Sequence, residues 1–519
     1  MKDLVGDYIH GVKQADSLGD VLKQVYHIPV LLGLIGFMLA VRLRALENFQ
    51  TNGGVTFRGN DPWYHFRQTN YLLEHFPTTM PFDPMTNYPT GTSVDQFGTL
   101  YDQLVAGFIL LTSFGDPSAS YAGSIMLVAA PVFATAAVVP AYLIAAHFAG
   151  RGPALAGITV LALLPGTVLN YSLVGFFDHS AAEIFFQTLG VLAFVVALSI
   201  AEREQPVWEL VVDRDLDALR RPLLYAVAAG VAAALYMWAW PPGILLVGIS
   251  SLFLAVKLTS DVYHGQSPEP VAFLGTVSMT VTAALMLIPV NAYAFGSPAK
   301  YNLVQVLLPL AVAAGCVFLS WLARQWDERS IDPSRYPIAV GGLILVGIAF
   351  TAVALPGLLG QIKTNLLRFV GFSAGAATRT IGEAQPLLAS GSPFSTIYSE
   401  YRLTFFTALA AAVIFLGRPL IRSDETRDTG YAVAAAGIVV GIYLLQPAYN
   451  ALAGIVPVIG PQVLGVLIVS ALLIGATLRH RYDADRLYLV VWGAFITSAA
   501  FTQVRFNYYL GVVVAVFTA

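Results

Sequence analysis

The 519-residue sequence has one cysteine, little net charge and few charged residues of either sign. Cys316 has no second cysteine to pair with, which excludes an intramolecular disulfide framework and a cysteine-based zinc site. The formal net charge of -3 provides no basic patch for nucleic acid. Residues 1–27 carry charges such as Asp3, Asp16 and Lys23 in place of a short apolar core, so we expect no cleavable signal peptide.

Apolar residues, in contrast, dominate the composition. Hydrophobic residues make up 57% of the sequence and charged residues 11%, and the mean hydropathy is +0.69. A soluble globule with this composition would expose more apolar surface than water tolerates. Apolar runs of about 20 residues, long enough to cross roughly 30 Å of hydrocarbon, recur along the chain, and only helices satisfy their backbone polar groups in lipid. The sequence therefore predicts an all-α, polytopic membrane protein.

Thirteen membrane-spanning helices are predicted from these runs. Their predicted bounds are 28–45, 122–147, 153–172, 181–201, 222–240, 242–258, 270–294, 302–323, 337–358, 403–417, 431–447, 461–478 and 487–503. Lysine and arginine concentrate in alternate loops, which predicts that those loops and the N-terminal segment 1–27 are cytoplasmic. The long loops 46–121 and 359–402 are then external. Lys257 is counted here among the cytoplasmic loop residues.

One apolar run, Leu100–Phe114, is not counted as a span. It is short and begins with Tyr101, Asp102 and Gln103, which favours a surface or re-entrant helix. If this run were a span, every later loop would change sides and the arginine-rich loops would be external, against the usual charge bias.

Three predicted external segments carry acidic residues next to the membrane. Asp61 follows the first span, Asp178 and His179 precede the fourth with Glu183 nearby, and Glu383 lies in the loop 359–402. Ionisable groups at the edge of the bilayer are costly and are mostly retained where they pair, bind a metal or take part in chemistry. Carboxylates and an imidazole could hold Mg²⁺ or Mn²⁺. Any one of these residues alone is more often a solvated loop charge, but three such segments on one side favour a site.

Five motifs extend over nearly the whole chain. They are Asp61-Pro62-Trp63-Tyr64-His65, Tyr88-Pro89-Thr90-Gly91, Leu164-Pro165-Gly166 leading to Gly175-Phe176-Phe177-Asp178-His179, Thr380-Ile381-Gly382-Glu383, and Arg505-Phe506-Asn507-Tyr508-Tyr509-Leu510. In this order they resemble the catalytic subunit of oligosaccharyltransferase, most closely its archaeal form, a GT-C type glycosyltransferase. The topology of that family, with thirteen spans, a cytoplasmic N-terminus and external catalytic loops, agrees with the charge pattern.

The resemblance implies N-glycosylation at the cell membrane. A glycan would move from a polyprenyl (dolichyl) phosphate-linked donor to the asparagine of an Asn-X-Ser/Thr sequon, by a single inverting displacement that a divalent cation, Mn²⁺ or Mg²⁺, assists. The resemblance implies that Asp61 binds both metal and acceptor amide, Asp178 binds metal, Glu383 contacts the amide and Arg505 meets the lipid-linked phosphate. The implied partners are the lipid-linked oligosaccharide, the acceptor sequon and membrane lipid, without nucleic acid, for an enzyme acting as a single subunit.

Three further residues have two interpretations each. His65 shares a helical face with Asp61 if that segment is helical, and it would either bind phosphate or lie in a solvated loop. His179 would either ligate a metal through a ring nitrogen or be solvated. Trp240 would either line the lipid-phosphate pocket or belong to an interfacial aromatic belt. Arg505 likewise has the alternative of a snorkelling residue at a helix end.

The sequence departs from the family pattern in three places. Ser180 stands two residues after Asp178, where the family usually has a metal-binding acid or histidine, and Tyr171 stands where many members have arginine. Serine is a weak metal ligand, so the site would recruit His179, Glu183 or water, bind metal loosely, or have lost activity. The Trp-Trp-Asp-Tyr-Gly motif of the family's C-terminal soluble domain is absent from the sequence. We therefore expect a membrane domain of a longer protein, or a truncated form, whose recognition of the sequon hydroxyl on its own is in question.

Two other functions are left open by the residues. One is a different polyprenyl-phosphate-sugar transferase of the O-mannosyl or lipid-sugar type, which would not require Glu383 in its Thr-Ile-Gly-Glu setting or the Asp178-His179 pair. The other is a transporter or a non-catalytic membrane scaffold. The sequence contains no convincing internal repeat of the kind that transporters often have, whereas Ser180 and Tyr171 would suit a scaffold.

Overall fold

A computed structural model confirms that the chain is built almost entirely from helices. It describes residues 24–51, 54–93, 98–202, 207–290, 293, 295–298, 300–357, 359–360, 362–364, 382–387, 392–423, 425–453 and 461–519. Strand structure in these ranges consists of two antiparallel ladders, which pair β1 (Gln50–Thr51) with β2 (Gly54–Val55) and β3 (Phe82–Asp83) with β4 (Thr92–Ser93). Both ladders lie in the predicted external loop 46–121.

The chain divides into two compact units, of which the first comprises its residues up to Leu192 together with Gly511–Ala519. The helices of the first unit are α1 (His27–Leu43), α2 (Asp61–His75), α3 (Leu100–Thr112), α4 (Ala119–Ala136), α5 (Val138–Ala149), α6 (Arg151–Leu163), α7 (Gly166–Asn170) and the first part of α8 (Ser180–Ala201). Within this unit α1 packs against α4 and α6, and α2 packs against α3.

The second unit comprises Ala193–Leu510. Its helices are the rest of α8, then α9 (Val207–Val212), α10 (Leu216–Ala239), α11 (Ile244–Tyr263), α12 (Glu269–Met286), α13 (Val304–Glu328), α14 (Tyr336–Ala354), α15 (Pro393–Tyr401), α16 (Thr404–Ile421), α17 (Thr426–Leu444), α18 (Gln446–Ala453), α19 (Pro461–Arg479), α20 (Ala484–Thr502) and the start of α21 (Asn507–Thr518). In this unit α12 packs along α10 and α13, and α11 contacts α20.

The helices include eight segments, within the described ranges, that are long and apolar enough to cross a membrane. They are Ala119–Ala149, Ser180–Ala201, Asp217–Ala239, Pro241–Tyr263, Glu269–Met286, Val304–Glu328, Pro333–Ala354 and Thr404–Ile421. The protein is therefore a multi-pass membrane protein, while the count of thirteen spans and the sidedness of the loops stay predictions. In α14, Tyr336 and Val340 are the buried residues. The other apolar side chains of this helix are at least partly exposed, as is expected of a helix that faces lipid.

Two spans are shorter than the sequence predicted because of proline. The span predicted at 153–172 is interrupted after α6, since Pro165 has no backbone N–H and its ring disfavours helical geometry at the preceding residue. A new short helix, α7, then begins at Gly166. The span predicted at 270–294 ends with α12 at Met286, just ahead of Pro289.

One helix is longer than predicted because its charged residues are paired inside the protein. The prediction ended the sixth span at residue 258 and counted Lys257 as a loop residue, but α11 continues to Tyr263. The Nζ atom of Lys257 lies 2.7 Å from Glu202 Oε1 and 2.9 Å from Asp261 Oδ1. Lys257 and Asp261 are each 1% exposed. Because these charged side chains are paired inside the protein, they do not need to lie in an aqueous loop, and the helix continues through them.

A buried carboxylate holds the segment 76–93 against α2. Asp83 accepts hydrogen bonds from Arg67 Nη2 at 2.6 Å, from Thr86 Oγ1 at 2.6 Å and from the backbone N–H of Met85 at 3.0 Å. Burial alone would raise the pKa of Asp83, but the hydrogen bonds from Arg67, Thr86 and Met85 hold it below its ordinary value. The ionised form is therefore the one that this fold stabilises.

Replacing Asp83 with asparagine is expected to loosen the segment 76–93 by about 1–3 kcal/mol, because Arg67 loses a charged acceptor. Acid should act in the same direction. The contribution of the carboxylate is present above the ordinary aspartate pKa of about 3.9 and is lost as the pH falls through the lower folded value. Amide hydrogen exchange of this segment, corrected for intrinsic rates, measures both effects. Glu74→Gln, at an exposed position of the same helix, is the control, and equal protection in the two variants would contradict the prediction.

Candidate metal centre

The helix α2 carries the first candidate residues, Asp61 and His65. Its start at Asp61, with Pro62 in the first turn, follows from the fit of proline and of an acidic side chain to a helix N-terminus. The predicted helical relation is confirmed, because His65 lies one turn after Asp61 on the same face. Asp61 is exposed at the end of the helix, whereas His65 is only 1% exposed. The interpretation of His65 as a residue of a solvated loop is thus wrong.

The segment between α7 and α8 turns inward at Gly175. This residue has a φ of +83°, and a Cβ atom there would lie 2.3 Å from the ring of Phe49. Only glycine combines that backbone conformation with so close a contact. The carbonyl oxygen of Gly175 accepts a hydrogen bond from the backbone N–H of Arg58 at 2.8 Å. The turn therefore joins the segment to the loop that precedes α2.

A second set of hydrogen bonds joins the same segment to the end of α1. The backbone N–H of Val174 donates to the carbonyl oxygen of Arg42 at 3.1 Å. The buried Arg42 side chain in turn donates from Nε to Ser172 Oγ at 2.8 Å. Tyr171, at the family's arginine position, stacks on Phe176 with ring centroids 4.7 Å apart. These contacts fix where the next residues, Asp178 and His179, enter the interior.

His65, Asp178 and His179 form a buried cluster that could hold a metal ion. One ligand atom from each side chain lies within 4.8 Å of the other two. His65 Nε2 is 2.9 Å from His179 Nδ1 and 3.9 Å from Asp178 Oδ2. Asp178 and His179 are 2% and 6% exposed, so neither is a solvated loop residue. Burial alone would raise the pKa of Asp178, but the rings of His179 and His65 and the hydrogen bonds from Ser180 hold it below its ordinary value.

Each histidine of this cluster has a buried carboxylate on its far side. His65 Nδ1 lies 2.8 Å from Asp102 Oδ1, and His179 Nε2 lies 3.0 Å from Glu183 Oε1. Asp102 is 2% exposed and Glu183 is fully buried. Burial raises the pKa of Asp102, although the adjacent His65 ring acts against this rise.

Ser180 orients Asp178. Its backbone N–H donates to Asp178 Oδ1 at 2.7 Å and its hydroxyl donates to the same oxygen. The serine occupies a family ligand position, yet its hydroxyl is used here to hold a carboxylate. The other carboxylate oxygen, Oδ2, is the one nearer to His65.

Aromatic side chains pack around the two histidines. The centroid of His65 lies 5.4 Å from that of Tyr101 and 6.2 Å from that of Phe177, in edge-to-face geometry. Phe57 stacks against Phe177 at 5.7 Å. A surrounding of this kind lowers the local dielectric, so that charges inside the cluster interact more strongly than they would in water.

In the second unit, the structure brings three other predicted residues into one neighbourhood. The Arg505 guanidinium lies over the Trp240 ring, 5.2 Å from its centroid. Glu383 lies in a single 3-10 turn, Gly382–Ala384, and the following Gln385 accepts a backbone hydrogen bond from Val504 at 2.8 Å. Trp240 is 4% exposed, which does not suit a belt residue at the lipid surface. Thr380 and Ile381 of the same motif lie outside the described residues.

Sequence reasoning missed Asp102 and left Glu183 as one of several options. Asp102 was read as a sign that α3 lies at the surface, and the length of α3, 13 residues or about 20 Å, does fall short of a span. The overlooked signal was a carboxylate in the first turn of an otherwise apolar helix, where only a buried partner such as His65 makes it tolerable.

Comparisons with known proteins agree with the fold and the motifs. The family description "Oligosaccharyl transferase STT3, N-terminal" matches residues 31–420. The chain is 49% identical over 514 residues to the dolichyl-monophosphooligosaccharide-protein glycotransferase AglB of Haloferax volcanii, a match that covers 98% of this chain and 49% of that relative. The chain thus spans about half the length of this relative.

Two solved structures from Archaeoglobus fulgidus have the same fold. Oligosaccharyltransferase AglB in complex with an inhibitory peptide and a dolichol-phosphate superposes with a TM-score of 0.73 at 20% identity, over 96% of this chain and 50% of that one. The oligosaccharyltransferase in complex with Zn and sulfate superposes with a TM-score of 0.58 at 20% identity, over 94% and 53% of the two chains.

Proposed function

The chain belongs to the oligosaccharyl transferase STT3 family, and we propose that it forms the membrane part of an enzyme that N-glycosylates proteins. The donor is a glycan linked to dolichyl or another polyprenyl phosphate, and the acceptor is the asparagine of an Asn-X-Ser/Thr sequon. The name of the Haloferax relative, a dolichyl-monophosphooligosaccharide-protein glycotransferase, supports both partners. The observation that carries the proposal is the buried cluster of His65, Asp178 and His179, one helical turn from Asp61.

The residues of the cluster fit a divalent cation, and of the two ions proposed for the reaction, Mn²⁺ or Mg²⁺, Mn²⁺ accepts the imidazole ligands more readily. Two imidazoles and a carboxylate are ligands for such ions, and one ligand atom from each already lies within 4.8 Å of the others. When bound, the ion would supply positive charge that stabilises the departing phosphate. The Zn-bound Archaeoglobus structure, which shares this fold, is in keeping with a divalent metal in the family.

Asp61 and Glu383 are proposed to activate the acceptor amide. An amide nitrogen is a poor nucleophile because its lone pair is delocalised into the carbonyl group. Carboxylates that accept hydrogen bonds from its two N–H groups would disfavour this delocalisation and orient the nitrogen toward the anomeric carbon. The exposed position of Asp61 at the start of α2 leaves its carboxylate accessible to a peptide. We propose a direct inverting displacement without a covalent enzyme intermediate.

Arg505, with Trp240 beneath it, is proposed to bind the lipid-linked phosphate. A guanidinium presents a planar fork of donors that matches phosphate oxygens. The contact with the Trp240 ring holds the guanidinium by a cation–π interaction. We further propose that the N-terminus is cytoplasmic, that both long loops face outward and that the enzyme acts as a single subunit.

Transfer of a lipid-linked glycan to an Asn-X-Thr peptide, in membranes that express the complete coding sequence, tests this proposal. We expect transfer to require a divalent metal, to stop with a Gln-X-Thr peptide, and to fall about a hundredfold or more in Asp61→Ala and Glu383→Gln. Arg335→Gln, at an exposed arginine, serves as the control. Full activity in both carboxylate variants, or activity that a chelator leaves unchanged, would contradict the proposed mechanism.

A further inference from the structure

We propose that the metal of this chain is bound through two imidazole nitrogens, His65 Nε2 and His179 Nδ1, with Asp178 as the third ligand. Asp102 and Glu183 are the residues that position the two rings. The inference rests on the proposed function for the role of the metal, but its ligand set can be tested by metal binding alone. It also assigns His65 a part other than phosphate binding.

The orientation of His65 is set by Asp102. Both oxygens of Asp102 lie near His65 Nδ1, at 2.8 and 3.1 Å, so Nδ1 is the nitrogen that pairs with this carboxylate. With Nδ1 donating to Asp102, the lone pair of the ring is on Nε2 and points away from Asp102. A ligating histidine that donates its other N–H to a carboxylate is the usual arrangement at protein metal sites.

His179 has the opposite arrangement, with Glu183 as its partner. Its Nε2 lies 3.0 Å from Glu183 Oε1, an ion-pair distance at which the two atoms are not aligned as a hydrogen bond. Glu183 follows His179 by four residues, at the start of α8, which puts the carboxylate one helical turn from the ring. His179 Nδ1 and His65 Nε2 thus face each other.

These two nitrogens are only 2.9 Å apart, a distance at which they can share a proton or bind one metal ion. The surroundings favour the metal, because three buried carboxylates, Asp102, Asp178 and Glu183, meet two imidazoles here, and acidic groups in a protein interior are costly unless a cation or hydrogen-bond donors balance them.

This ligand set predicts which metals bind. Imidazole nitrogens suit Zn²⁺ and other late transition metals, Mg²⁺ and Ca²⁺ prefer oxygen ligands, and Mn²⁺, which also favours oxygen, accepts imidazole more readily than Mg²⁺ does. Ser180 fits the same account, because its hydroxyl holds Asp178 while the second histidine supplies the missing ligand. We therefore expect the site to discriminate strongly against Mg²⁺ in favour of transition metals.

Mn²⁺ titration of the purified, metal-depleted complete protein in detergent tests the proposal, with pulsed EPR to detect nitrogen bound to Mn²⁺. Wild type should show nitrogen couplings from two imidazoles. His65→Gln and His179→Gln should each lose one imidazole coupling and at least about tenfold in affinity, and Asp102→Asn and Glu183→Gln should weaken binding about 10–100-fold. Excess Mg²⁺ should leave the bound Mn²⁺ in place.

Two matched controls separate these effects from general damage. His75→Gln changes an exposed histidine of the same helix as His65, and Asp116→Asn changes an exposed aspartate in the loop after α3. Both should bind Mn²⁺ as wild type does, and the thermal transition of each metal-free variant checks that it has folded. A variant that does not fold is replaced by His65→Asn or His179→Asn.

The possible results distinguish this inference from the proposed function. Loss of binding in Asp178→Asn with unchanged affinity and unchanged nitrogen couplings in both histidine variants would overturn the two-imidazole site and leave a metal-dependent transferase standing. Absence of binding of both Mn²⁺ and Zn²⁺ in the wild type would overturn both. Binding with two nitrogen ligands but no glycan transfer would support the site and contradict the function.

Discussion

Replacing Asp178 with asparagine is expected to reduce glycan transfer by at least about a thousandfold, which corresponds to roughly 4 kcal/mol of lost stabilisation in the transition state. Asparagine keeps the shape of the side chain and can still accept the hydrogen bonds of Ser180. It removes the negative charge that faces the two imidazoles, so the metal loses its only anionic ligand among His65, Asp178 and His179. The substitution therefore tests the charge of residue 178 while leaving the shape and position of its side chain unchanged.

The measurement is the initial rate of transfer to a fluorescent Asn-X-Thr peptide at saturating Mn²⁺, with the amount of folded protein determined on the same sample. Asp116→Asn, at an exposed aspartate, should retain the wild-type rate. A rate within about tenfold of wild type in Asp178→Asn would mean that this carboxylate does not hold the catalytic metal.

Replacing Lys257 with alanine is expected to destabilise the protein by about 3–5 kcal/mol, among the largest effects for a residue outside the site. Lys257 neutralises Glu202 and Asp261 at 2.7 and 2.9 Å and also donates to the carbonyl oxygen of Tyr482 at 2.8 Å. Arg481 remains near both carboxylates, at 3.6 and 3.1 Å, but it is 41% exposed and does not fill the space of the lysine. The buried Asp261 and the partly buried Glu202 would then share too little positive charge.

The thermal transition of the detergent-solubilised protein reports this loss. Lys300→Ala, at an exposed lysine, should leave the transition unchanged. Combining Lys257→Met with Glu202→Gln and Asp261→Asn should recover much of the stability, because removing a whole buried ion cluster is far less costly than removing one partner. If the triple variant were no more stable than Lys257→Ala, the loss would come from packing instead of uncompensated charge.

The sequence was sufficient to predict the fold class and the helical relation of His65 to Asp61, because both depend on local patterns. Long apolar runs require helices in lipid, and the position of Asp61 relative to His65 follows from helical geometry alone. The pairing of residues far apart in the chain was not predictable in this way. Asp102 looked like a surface residue and Lys257 like a loop residue, since a single sequence does not reveal the partner that makes a buried charge tolerable.

The same limit applied to the aromatic residues. From the sequence, Trp240 is equally plausible at the lipid surface and in a binding pocket, and its burial and its contact with Arg505, which lies hundreds of residues later in the chain, speak against the lipid surface. The effect of proline, in contrast, is local and can be read from the sequence. Pro165 and Pro289 act on their immediate neighbours, so the broken and shortened helices α6 and α12 follow from rules of local backbone geometry that hydropathy averages conceal.

The spacing of the histidines along the chain has a consequence for how the protein is made. Asp102 follows His65 by 37 residues, whereas His179 follows it by 114. During synthesis Asp102 is therefore present before any residue of α8, so His65 can pair with it first. Such an early pair would give two polar side chains a partner during insertion. Metal binding through both rings, as proposed, would have to follow the synthesis of His179.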